Sequence, residues 1–159
     1  MAMKLALILV ALMLIGVASA GVEHAKVNGF NVSFELNQTH DVVVDPGNGV
    51  NGTLTVRTFD GALTTSFIRY SKPSSVNSTW MRDGLIALFK IGIPAEQLEI
   101  DNNQGVFIIS MSKDTGKPVY GALYYPDLKT GKANTFVSIT STLPFYTTAD
   151  LLRTVHVVV

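Results

Sequence analysis

Gly29-Phe30-Asn31-Val32-Ser33-Phe34-Glu35-Leu36 is the stretch that decides the fold. Phe30, Val32, Phe34 and Leu36 alternate strictly with Asn31, Ser33 and Glu35. Successive side chains of a strand point to opposite faces, so this spacing predicts a half-buried strand with Asn31 on its solvent side. Downstream, Val42, Val43 and Val44 form a short apolar run, and Asp45-Pro46-Gly47-Asn48-Gly49 ends it with turn-forming residues. Strands over 54–59 and 64–70 follow, joined at Asp60-Gly61, a hairpin signal. A further strand over 97–100 turns through 101–105, and β-rich runs continue over 106–112, 118–125 and 135–143. Turn clusters at 113–117 and 126–132 separate them.

Between these halves the period changes. Trp80, Gly84, Leu88 and Ile91 recur at helical spacing, flanked by Leu85 and Phe89. This predicts a helix over about 78–91, capped by Ser78 or Thr79 and ended by Gly92 and Pro94. Its wide apolar stripe predicts packing on a sheet face. Thr147 or Thr148 is expected to cap a short C-terminal helix through Asp150, Leu151, Leu152 and Val155. Strands in series without intervening helices pair antiparallel. The expected fold class is therefore α+β: a mostly antiparallel β-sheet with the main helix (about 78–91) and the short C-terminal helix packed on it.

The N-terminus carries Lys4, then an apolar run from Leu5 to Val17, then Ala18-Ser19-Ala20. That is the pattern of a secretory signal, and it predicts cleavage after Ala20. The run is shorter than the roughly 20 residues a spanning helix needs. Residues 1–20 are thus expected to be a cleavable signal peptide, 21–28 a flexible leader, and 29–159 a single domain. The protein is expected in a secreted or extracytoplasmic envelope location, without stable membrane insertion after cleavage. The chain has no cysteine, which excludes thiol catalysis and thiolate metal sites. Net charge is zero and the basic residues are scattered, so nucleic-acid binding has no electrostatic support. Four sequons place glycosylation candidates at Asn31, Asn37, Asn51 and Asn77. With the missing cysteines, they point to an archaeal envelope glycoprotein.

The order of elements resembles the PsbP-like superfamily. The residues behind it are Gly29-Phe30-Asn31-Val32-Ser33-Phe34, the helix around Trp80 and Ile91, Gly105-Val106-Phe107-Ile108-Ile109-Ser110 and Leu151-Leu152-Arg153-Thr154-Val155. The resemblance implies the fold of a photosynthetic oxygen-evolving accessory protein and of a nuclear-import factor, and carries no functional residue across.

Chemistry-bearing patterns are sparse. His24, His40 and His156 fit no zinc spacing, and no HExxH motif exists. Asp101-Asn102-Asn103-Gln104-Gly105 partly mimics a calcium loop but has Ser112 where the bidentate Glu belongs, so it is read as a turn. No Gly-x-Ser-x-Gly nucleophile motif occurs. No catalytic residue, metal or cofactor is assigned. Tyr120 and Tyr124 share one strand face. Exposed, they would bind a sugar or a partner protein by stacking; the competing reading buries them beneath a helix. Two functions stand: a non-catalytic binding or accessory module for a protein or glycan of the cell envelope, or a small extracytoplasmic hydrolase using His40 or His156 with an Asp.

Overall fold

The computed structural model describes residues 22–70, 80–130 and 133–158. The signal segment, the capping pair Ser78 and Thr79, and the sequon at Asn77 lie outside the described residues. β1 (Val22–Val27) and β2 (Phe30–Glu35) form an antiparallel hairpin. Asn28 and Gly29 both have positive φ, 51° and 83°, the backbone of a two-residue turn whose twist suits a hairpin. Residues 22–27 are therefore a paired strand and not the loose leader expected from the sequence. Val22, exposed, and Glu23, half-buried, break the apolar alternation there because an edge strand shows both faces partly to water.

β3 (His40–Asp45), β4 (Asn51–Thr58) and β5 (Gly61–Arg69) lead into α1 (Trp80–Lys90). β6 (Ala95–Ile100), β7 (Asn103–Met111), β8 (Pro118–Tyr124) and β9 (Thr135–Ser141) follow, with a 3-10 turn, Leu128–Thr130, between the last two. α2 (Phe145–Thr154) and β10 (His156–Val158) close the chain. The large sheet has the order β3-β4-β5-β9-β8-β7-β6 and the small one β1-β2-β10. Every pairing is antiparallel. The α+β class stands.

The core lies between the two sheets. Phe30, Val32 and Phe34 of β2 meet Leu54 and Val56 of β4, Phe67 of β5, and Val137 and Ile139 of β9. Leu151 and Leu152 of α2 seal it. At about 25 cal/mol per Å² of apolar surface, each such side chain stabilises the fold by roughly 1.5–3 kcal/mol. The Arg69 guanidinium lies 4.2 Å over the Phe30 ring at the rim.

Both helices depart from expectation in detail. α1 is peripheral: from Asp83 onward none of its side chains is buried, and Phe89 is 83% exposed. It leans on β6 and β7. α2 starts at Pro144, which gives no side-chain cap. Thr148, expected at the cap, is instead buried inside the helix with its Oγ1 2.7 Å from Ser141 Oγ. β10 is a strand the sequence reading did not separate from the helix before it. Among the described residues, no helix is long and apolar enough to cross a membrane.

Candidate functional site

Asp101 and Asn102 both adopt positive φ, 52° and 57°, and Ile100 pairs with Asn103. The turn is thus two residues long, the hairpin geometry Asp and Asn tolerate. It carries the Asp101 carboxylate, side chain 4% exposed, to the free side of β10. There Asp101 Oδ2 accepts the Val157 N–H at 2.9 Å, and Oδ1 is in close contact with His156 Nδ1. His156 remains 58% exposed. Beneath this pair the Tyr124 hydroxyl and Asn103 Oδ1 are buried with no partner, while Asn103 Nδ2 donates to the Asp101 carbonyl at 2.8 Å. Burial, and after it the Asp101 charge, pushes the Tyr124 phenol well above its usual range.

On the outer face of the small sheet, Ser33 stands directly opposite His24 on one side and His156 on the other. The three side chains therefore form one cross-strand row. His40 is not part of it. Its Nδ1 donates to the Gln38 carbonyl at 2.8 Å, Nε2 lies 3.7 Å from Glu23 Oε1, and its side chain is 9% exposed beside Phe34. Of the two histidines named for a hydrolase, His156 has a carboxylate partner within bonding distance and His40 is occupied with a backbone carbonyl.

Tyr120 and Tyr124 face the core. Tyr120 stacks on Phe107 with ring centroids 6.1 Å apart, and Tyr124 is 0% exposed. They form no exposed row: the inner face of β8 puts Tyr120 against Phe145 at the start of α2, with ring centroids 5.6 Å apart, and Tyr124 wholly in the core. Of the sequon residues, Asn31, Asn37 and Asn51 are exposed. A cleft of about 390 Å³ lies between the segment after β2 and α2, lined among others by Glu35, Asn37, Gln38, Asp150 and Arg153. No histidine lines it.

The outer face of the large sheet carries a pattern the sequence reading passed over. Thr53, Ser66 and Ser138 lie in one register row, and Thr55, Thr64 and Thr140 in the next. All six are half-buried or exposed. Thr55 and Thr64 hydroxyls are 3.2 Å apart. Strands spaced about 4.8 Å apart, with same-face residues about 6.8 Å apart along each, make this a small regular lattice of hydroxyls. The signal was legible: each hydroxyl alternates with a core residue such as Leu54, Val56, Phe67 or Ile139. Among the described residues, no three of His, Asp and Glu are grouped to hold a metal ion.

Fold and surface together define a two-sheet α+β domain with a hydroxyl-bearing outer face and a His156–Asp101 pair between β10 of the small sheet and the β6–β7 turn. No protein-family model matches the chain, and no curated protein matches it. A solved structure from Bacteroides thetaiotaomicron VPI-5482 is similar, with a TM-score of 0.50 at 13% identity. The match covers 88% of this chain and 49% of that one, so this chain spans about half of its length. At that identity the likeness concerns the fold alone.

Proposed function

We propose that this is an exported, non-catalytic binding module of the cell envelope whose ligand is a polyhydroxylated surface, a glycan. The observation that carries the reading is the six-residue hydroxyl lattice on β4, β5 and β9. Each Ser or Thr hydroxyl offers one donor and two acceptor positions. Sugar hydroxyls offer the same groups, so a fixed lattice matches a repeating glycan without any charge. Export rests on the N-terminal pattern of Lys4, the apolar run and Ala18-Ser19-Ala20. The PsbP-like order of elements supports an accessory part, and the exposure of Asn31, Asn37 and Asn51 is compatible with glycosylation.

The test is co-sedimentation with insoluble cellulose, chitin and isolated cell envelopes. The wild type is expected to pellet with at least one polymer. The triple variant Thr55→Val, Thr64→Val, Thr140→Val keeps β-propensity while removing the hydroxyls, and is expected to stay in solution. Equal retention of both proteins, or of neither, sinks the reading.

The His156–Asp101 pair favours a second reading, a hydrolase in which Asp101 orients His156 as general base. Turnover of aryl esters that falls about 100-fold or more in His156→Gln supports it; no turnover in the wild type ends it.

A further inference from the structure

We propose that His24 and His156 form a two-imidazole clamp for a divalent transition-metal ion on the outer face of the small sheet, with Asp101 positioning His156. The register places both imidazoles across from Ser33, one from each side. Each adjacent pair of strands is about 4.8 Å apart, so the two backbones stand about 10 Å apart with β2 between them. An ion bonded to each ring nitrogen at about 2.0–2.1 Å fits that span. Ser33 has a small side chain, so the space above it stays open for the two rings.

The orientation of His156 follows from Asp101. Val157 N–H donates to Asp101 Oδ2 and not to β2, so the carboxylate lies on the free side of β10. His156 Nδ1 meets Asp101 Oδ1 on that side. The two nitrogens of an imidazole lie on different sides of the ring, so with Nδ1 held by Asp101 the Nε2 faces away from that carboxylate, outward from the sheet and to the Ser33 side. That is the carboxylate–histidine arrangement that fixes the tautomer and makes the free nitrogen a better ligand. Burial of the Asp101 side chain, 4% exposed, holds the arrangement rigid. His24 approaches from the edge strand β1, where its side chain is exposed. Glu35, on the same face of β2, adds negative charge nearby, while Lys26 on β1 opposes it. Imidazole pairs suit Zn²⁺, Ni²⁺ and Cu²⁺, and water completes the coordination shell. The clamp is independent of the glycan-binding face, which lies on the other sheet.

Untagged protein titrated with Ni²⁺ and with Zn²⁺ by calorimetry near neutral pH tests this. One saturable site per chain is expected. His24→Gln and His156→Gln are each expected to weaken binding about tenfold or more, with folding verified by circular dichroism. Asp101→Asn, which changes no ligand, is expected to weaken it about 10–100-fold. The electron paramagnetic resonance spectrum of the Cu²⁺-loaded protein should show splitting from two imidazole nitrogens, reduced to one in each single variant. Absence of a saturable site, a wild-type spectrum with fewer than two nitrogens, or undiminished binding in the His24→Gln, His156→Gln double variant overturns the proposal.

Discussion

Tyr124 keeps a hydroxyl in the core with nothing to bond to. An unsatisfied buried hydroxyl costs about 1–3 kcal/mol relative to water, whereas Phe carries the same ring without it. Tyr124→Phe is therefore expected to raise stability by roughly 1 kcal/mol in urea unfolding at neutral pH. The residue also sets an alkaline limit. Its phenol titrates well above the ordinary value of 10.0 when folded, so above that pH the unfolded chain releases a proton the native state retains. Stability is intact below about pH 10 and falls by roughly 1.4 kcal/mol per pH unit as pH rises from there towards the folded value. In Tyr124→Phe that part of the alkaline slope should vanish; a slope unchanged by the substitution would show that the charge is shed elsewhere. Burial of Tyr124 was one of two readings the sequence allowed; the orphaned hydroxyl was not legible there. Which face of 118–125 is buried depends on which sheet lies over it, and period two names the faces without saying which is inside. The Asp101–His156 pair was hidden for a related reason. Its members lie 55 residues apart and meet because a tight turn of the large sheet touches the last strand of the small one.

Elements with strong alternation were legible and elements held by tertiary contacts were not. β2, β5 and β9 alternate cleanly because one face meets the core and the other meets water. β1 and β10 do not, since their pairing with β2 supplies what their composition lacks. Thr148 does not cap α2, because its hydroxyl is engaged inside the helix in a buried network with Ser141 and Leu143, and the helix begins at Pro144 with no side-chain cap. Ser141 Oγ accepts the Leu143 N–H at 3.1 Å and contacts Thr148 Oγ1 at 2.7 Å. Thr148 also donates to the Leu143 carbonyl at 3.4 Å. All of this happens at residues 0–1% exposed. A Thr followed by an acidic residue reads as a cap in sequence, and here the buried hydroxyl network overrides that preference. Ser141→Ala leaves the Leu143 N–H without its acceptor, so it is expected to cost about 1–3 kcal/mol. Thr142→Ala, at an exposed position beside it, should cost less than half as much; a reversed order in chemical denaturation would refute the network. Leu151→Ala, from the buried face of the same helix, should cost about 2–5 kcal/mol.

Across the whole molecule, stability is distributed unevenly, and the distribution follows from what each element buries. β5 and β9 sit in the middle of the large sheet, paired on both sides, with Phe67 and Val137 at 0% exposure. Opening them exposes the core, so their amide hydrogens exchange only through global unfolding. α1 buries no side chain from Asp83 onward and shows Ile86, Phe89 and the adjoining Ile91 to solvent. Its end is closed by backbone bonds, Gly92 N–H to the Phe89 carbonyl at 3.0 Å and Ile93 N–H to the Leu88 carbonyl at 3.0 Å among them. A helix of 11 residues has little stability of its own in water. α1 is therefore expected to open locally at a cost several kcal/mol below the global value, with β5 and β9 still closed. Hydrogen exchange followed by mass spectrometry should show peptides of 83–90 exchanging at least 100-fold faster than those of 61–69. The difference should narrow as urea lowers global stability. Equal protection of both segments would mean that the apolar face of α1 is covered in solution by something that lends it the stability of the core.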